Sequence, residues 1–251
     1  MIRMIAAREW RSLFLSPLAW TILGVVMFIL AWLFLAQLDL YLTLAPQIAR
    51  LPEAPGVTDV VVAPLLANTG VILLLVAPLI TMRAISEERR SQSLVLLLAA
   101  PVSMTRIVLG KYLGLMGFFA VLLGLLAAML LSLSLGTHLD YGKLAAGLLG
   151  LLLLVAAFVA AGLYLSSLTD QPVIAAVATF GLLLLFWIID WAGSAGAGGG
   201  SPVLGYLSLL NHYQSLLKGL FNTSDVLYYL LFSITFLGLT VERLDAQRVM
   251  G

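Results

Sequence analysis

The sequence predicts an all-α fold, a polytopic membrane helix bundle of six spans that forms a single transmembrane domain over residues 1–251. Composition is the first reason, because 62% of the residues are hydrophobic and only 10% are charged. A soluble domain is nearer to about 45–50% apolar and about 25% charged, so most of this surface must face lipid. The net charge of +1 gives no indication of nucleic-acid binding, and a chain without Cys has no disulfide or thiolate metal site.

Six long apolar segments are the second reason. A membrane-spanning helix needs roughly 20 mostly apolar residues. The segments that qualify are 18–38, 62–82, 107–135, 144–165, 173–190 and 226–241. The third is longer than one bilayer crossing and should tilt or project into water. The first follows a basic start, as in a signal peptide, but it is too long for one and lacks a small-residue cleavage site. It is therefore interpreted as an uncleaved span.

The distribution of cations predicts the orientation. With the N-terminus inside, 10 of the 13 Lys and Arg residues fall on the cytoplasmic side, which is the bias that the positive-inside rule describes. An even number of spans then places both termini in the cytoplasm. The ten residues are Arg3, Arg8, Arg11, Arg83, Arg89, Arg90, Arg106, Lys111, Arg243 and Arg248.

Shorter structures are predicted outside the spans. Residues 1–16 should form an amphipathic helix that lies flat at the inner interface, although ordinary flanking charge explains its arginines equally well. Glu9 falls on the apolar side of this helix, which indicates a polar partner there. The outer loop 39–61 contains three prolines and is predicted to be irregular with one short helix. The outer segment 192–225 begins glycine-rich and should continue as short helices in or dipping into the outer leaflet.

The motifs predict a subunit without catalytic chemistry of its own. The glycines at 196–200 and the pair Gly110-Lys111 both fail the nucleotide-binding patterns, so we expect no cofactor in this chain. ATP and Mg would then be bound by a partner. His138 and His212 are interpreted as ordinary interfacial residues, because His138-x-Asp140 alone is weak evidence for a metal. The Gly110-x-x-x-Gly114 spacing permits close helix approach, within the bundle in preference to a homodimer.

The most informative segment is the cytoplasmic stretch 83–105. It begins with a dense set of charges and continues into an apolar run at 94–100 that is far too short to span a bilayer. This pattern suits docking on a soluble partner at the inner face. The alternative, a positive-inside anchor with an interfacial helix, accounts for the arginines but not for the paired acids. The docking candidates are Arg83, Glu87, Glu88, Arg89, Arg90 and Leu94.

Nearly from end to end, the chain resembles a known family, the membrane subunits of type-two ABC transporters. The similarity is to the branch with the GldF gliding-motility and NosY copper-site maturation subunits, and GldF is the closer. One departure is that the family commonly has Gly-Thr-Leu-Glu after the basic pair, where this chain has residues 92–95, QSLV. The matching blocks occur in order along the chain at 14–20 (FLSPLAW), 57–68, 78–83, 87–91 (EERRS), 96–98, 101–103, 108–112, 212–215 (HYQS), 218–219 and 225–228.

The resemblance implies a partner set and a function. Two copies of the subunit would join two ABC ATPase subunits in a bacterial cytoplasmic (inner) membrane. The segment 83–101 would be the coupling helix, through which ATP hydrolysis drives export or conformational work. The expected outer gate or partner residues are His212, Tyr213, Lys218 and Asp225.

The alternative function is a mechanical transducer or scaffold that moves no solute. It would pass ATPase strokes through 39–61 and 192–225 to an extracytoplasmic partner. GldF-like subunits are associated with a GldG-type membrane protein, which makes such an auxiliary partner an expectation here. The scarcity of polar side chains in the predicted spans favours transduction, and a lipid-like substrate fits equally well.

Overall fold

The computed structural model describes residues 2–48, 56–91, 103–194 and 202–250. Its described elements are all helical: α1 (Ile2–Leu15), α2 (Pro17–Ile48), a π-helical turn (Thr58–Val62), α3 (Ala63–Thr81), α4 (Arg83–Arg90), α5 (Met104–Leu131), a 3₁₀ turn (Ser132–Leu135), α6 (Tyr141–Leu168), α7 (Pro172–Ser194), α8 (Pro202–Leu207), α9 (Leu209–Leu217) and α10 (Thr223–Met250). Six helical stretches are long and apolar enough to cross a membrane. The prediction of an all-α bundle with six spans is confirmed.

Helix α6 is the centre of the bundle. It contacts α3, α4, α5, α7, α9 and α10. Small residues on α6 allow these close approaches, because a Cβ added at Gly147 would meet Leu66 at 2.6 Å and one at Gly162 would meet Thr81 Cβ at the same distance. Its Ala157, Ala160 and Ala161 are fully buried. Small residues serve this purpose between membrane helices, where packing rather than water exclusion drives association.

Helix α1 packs along the first half of α5. A Cβ at Gly110 would lie 2.7 Å from the Ile5 side chain, and one at Gly114 would lie 2.6 Å from Glu9 Cβ. The predicted internal use of the Gly110-x-x-x-Gly114 spacing is therefore confirmed. The partner helix is the amphipathic N-terminal helix, whose three arginines point outward.

The prediction for the outer loop 39–61 is wrong over most of the described part. Helix α2 continues without a break to Ile48, and residues 58–62 form the π-helical turn that leads into α3. Pro46 lies inside α2 and does not end the helix. Residues 49–55 lie outside the described residues, as do 195–201 of the glycine-rich segment.

Candidate functional site: a clamped charged helix

Helix α4 is the element that carries the predicted docking charges. It follows α3 after a single residue, Met82, and its buried side chains are Ala84, Ile85 and Ser86. The Ser166 hydroxyl of α6 accepts hydrogen bonds at 3.1 Å from the amides of both Ile85 and Ser86. The same hydroxyl donates to the Met82 carbonyl at 2.9 Å. These amides belong to the first turn, where a helix has no partners of its own, so one side chain of the central helix caps α4.

A buried lysine joins α4 to two more helices. Lys111 of α5 is 2% exposed, and its ammonium lies 2.7 Å from Glu9 Oε1 on α1 and 2.7 Å from Glu88 Oε1 on α4. Its third hydrogen bond is donated to the Ala84 carbonyl at 2.8 Å. An ammonium has three donors, so all of them are used. Glu9 thus has the polar partner that its position on the apolar side of α1 indicated.

Arg89 attaches the other end of α4 to the turn between α6 and α7. Its Nε lies 2.9 Å from Asp170 Oδ1, and its Nη1 donates to the Ser167 carbonyl at 3.1 Å. Together with the Ser166 cap and Lys111, this contact holds α4 against α1, α5 and α6. The inward-facing side of the charged helix is therefore an anchored surface.

Arg83, Glu87 and Arg90 form the outward-facing side of α4, and all three are exposed. Arg83 Nε and Glu87 Oε2 are 3.9 Å apart, with side chains 49% and 59% exposed. An exposed pair at this separation adds little stability, so both groups are available to a partner. A cavity of about 360 Å³ opens beside this side, lined by residues of α1, α2, α3, α4 and α5. Of the six predicted docking residues, three face outward, Glu88 and Arg89 face inward, and Leu94 lies outside the described residues.

The opposite end of the bundle carries the outer candidates. His212, Tyr213 and Asp225 are buried, whereas Lys218 is exposed. The Tyr213 hydroxyl donates to the Leu66 carbonyl of α3 at 2.7 Å, and burial raises the pKa of this phenol far above its usual value, so it remains a donor. Helix α9 is thus inserted among α3, α6 and α7. The interpretation of His212 as an ordinary interfacial residue is wrong, because its ring is buried against α10.

Several contributing residues were not found by sequence reasoning. Ser166, Ser167 and Asp170 lie about eighty positions from the α4 residues that they hold, and no local pattern marks them. Lys111 is among the cytoplasmic cations of the sequence analysis, but no partner was predicted for it. A lysine within an apolar segment is, however, a signal, since such a charge requires partners.

Ser166 bonds to a neighbouring helix, but four other buried hydroxyl groups of the spans bond within their own helices. Each of four buried threonines donates to the carbonyl four residues earlier, at 2.7–2.8 Å: Thr69, Thr81, Thr179 and Thr240. Within the described part of the chain, no group of three or more His, Cys, Asp or Glu side chains is placed to hold a metal.

The fold and this site define a polytopic helical membrane protein with a short charged helix clamped at one end of the bundle. Residues 3–244 match the sequence model of the ABC-2 family transporter proteins, and the chain belongs to this family. It is a multi-pass permease component of an ABC transporter, in which the ATPase is a separate subunit with which the family implies pairing. No individual curated protein gives a significant match.

Proposed function

We propose that this chain couples ATP hydrolysis by a separate ABC ATPase to export or conformational work across a bacterial cytoplasmic membrane. The end that carries α4 would face the cytoplasm, as the ten cations near that end favour. ATP and Mg would be bound by the ATPase, and two copies of the chain would join two ATPase subunits. The observation that carries the proposal is the division of α4 into an anchored side and a charged, exposed side.

The anchored side supplies the transmission. A displacement of α4 by the ATPase would act on α1 and α5 through Lys111, and on the central helix α6 through Ser166 and Arg89. The helices of the bundle would then move together and open or close a path between the two copies. Such a change requires the ATPase to contact the two states with different free energy. The exposed charges of Arg83, Glu87 and Arg90 can provide that difference.

A second candidate is mechanical transduction without solute transport. The four buried threonines favour it, because each hydroxyl is bonded to its own helix and offers no hydrogen bond to a polar solute. The outer partner would be a GldG-like auxiliary membrane protein. A lipid-like cargo is compatible with the same threonine contacts, and transport of a labelled lipid by the reconstituted complex would exclude pure transduction.

The docking proposal is tested with a charge exchange on the exposed side. The double variant Glu87→Lys/Arg90→Glu keeps the net charge but inverts the pattern. We expect affinity purification in mild detergent to recover the ATPase with the wild type and to lose it with this variant, at an unchanged melting temperature. Lys218→Glu, at the opposite end, is the control and should retain the ATPase. Glu88 is unsuited to this test because it holds Lys111. Undiminished ATPase recovery and stimulation with the double variant would refute docking through α4.

A further inference from the structure

A histidine and an aspartate meet in a buried position at the α9 end of the bundle. His212 is 7% exposed and Asp225 is 4% exposed. The imidazole Nδ1 lies 2.6 Å from Asp225 Oδ1, and Nε2 lies 2.8 Å from the main-chain carbonyl of Tyr206. The imidazole of α9 thereby connects α8 to α10. This contact is at the opposite end of the bundle from α4 and is not part of the docking function proposed for that helix.

The two contacts of the ring determine how many protons the pair holds. A neutral imidazole has one N–H and one lone pair, whereas an ionised carboxylate and a carbonyl are both acceptors. A neutral ring between an ionised carboxylate and a carbonyl would direct its lone pair at one of these two oxygens, which lie 2.6 and 2.8 Å away. Both contacts are hydrogen bonds only if the histidine–aspartate pair carries two protons in total.

The surrounding aromatic rings favour placing both protons on the imidazole. Tyr228 stacks on His212 at a centroid distance of 4.1 Å and 23°, and Tyr206 approaches edge-on at 5.2 Å. An aromatic face attracts a cation. Tyr229, at 6.4 Å, and Tyr228 donate their hydroxyl protons to carbonyls of residues 209 and 207. These two phenols therefore do not donate to the pair, and among the described residues Asp225 Oδ2 has no hydrogen-bond donor.

We infer that His212 and Asp225 form a buried proton-binding site, occupied as imidazolium and carboxylate, that keeps α9 inserted in the bundle. Removing the second proton would leave a net negative charge in a buried position and turn one hydrogen bond into a repulsion. Helix α9 carries Tyr213 against Gly70 and Gly150, where added Cβ atoms would meet its ring at 3.0 and 3.4 Å. Proton occupancy thus controls whether Tyr213 stays inserted between α3 and α6.

The protonation state can be measured directly, because the chain has only two histidines. His138 is exposed, so the variant His138→Gln leaves a single imidazole signal. In the ¹⁵N-histidine spectrum of this variant at about pH 8, well above the pKa near 6.5 of a free imidazole, we expect two protonated ring nitrogens at His212. A nitrogen without a proton would overturn the assignment.

The effect on α9 is tested with a thiol reporter, since the chain has no cysteine of its own. Leu216 of α9 is fully buried, and maleimide labelling of Leu216→Cys reports its exposure. Adding Asp225→Asn should accelerate labelling by about tenfold or more, because the hydrogen bond to the imidazole loses its charged acceptor. Asp59→Asn, which neutralises an acid of the exposed pair with Lys143, is the matched control and should leave labelling unchanged. Equal rates in the Asp225→Asn and control proteins would overturn the control of α9 by this site.

Discussion

Replacing Lys111 by Met should destabilise the protein strongly, because two carboxylates would lose their shared cation. The Glu9 and Glu88 side chains are only 19% and 23% exposed. Removing one partner of a buried ion pair destabilises a protein by about 3–5 kcal/mol. Both carboxylates retain some access to water, so we expect the lower end, about 3 kcal/mol. For a chain of this size that corresponds to a decrease of roughly 6–12 °C in the melting temperature.

The assay is thermal unfolding of the purified protein in detergent, followed by tryptophan fluorescence. The informative comparison adds Glu9→Gln and Glu88→Gln to Lys111→Met, which removes all three charges while keeping the side chains close to their original size. If unpaired charge is the cause, the triple variant should recover most of the lost stability, because coupled residues depart from additivity. A triple variant no more stable than Lys111→Met alone would refute the electrostatic reasoning.

Three further substitutions test the packing of α3 and α4 against α6, and the packing of α9, by the same thermal unfolding assay. Gly162→Ala places a Cβ 2.6 Å from Thr81 Cβ and should destabilise the protein by about 1–3 kcal/mol. The control Gly124→Ala has no atom within 4 Å of its added Cβ and should leave the stability unchanged. Equal melting temperatures for the two variants would contradict the close approach of α3 and α6. Tyr213→Phe removes a buried hydrogen bond to α3 and should destabilise by about 1 kcal/mol, so an unchanged midpoint would argue against that bond. Ser166→Ala leaves two amides of α4 uncapped. It should destabilise the protein by about 1 kcal/mol and accelerate proteolysis after Arg90. A proteolysis rate equal to that of the wild type would mean that the cap does not hold α4.

The spans were predictable because length and hydropathy are local properties. The predicted segment 144–165 lies within α6, observed at Tyr141–Leu168, and 226–241 lies within α10, observed at Thr223–Met250. The ends were less predictable, since helices continue past the apolar run when capping or packing supports them. Asp140, whose carboxylate accepts from the amides of Gly142 and Lys143, explains the earlier start of α6.

The site was predictable only in part. The charged segment was identified from its composition, and a polar partner for Glu9 was expected without being known. The contact between α1 and α5 determines that this partner is Lys111. The same ammonium also holds Glu88. The contact between α1 and α5 joins residues about a hundred positions apart, and no pattern within a single helix records it.

Sequence alone determined the membrane class, the six helices and the segment that carries the proposed docking charges, because each follows from local composition. Only the tertiary structure decided which of two adjacent acids faces outward. Glu87 and Glu88 are about 100° apart on the helix, and nothing in their identities distinguishes them. The rotation of α4 against α5 and α6, set by the Ser166 cap and the Lys111 ammonium, turns Glu88 inward and leaves Glu87 exposed. Long-range packing fixes that rotation, so adjacent identical residues acquire different roles.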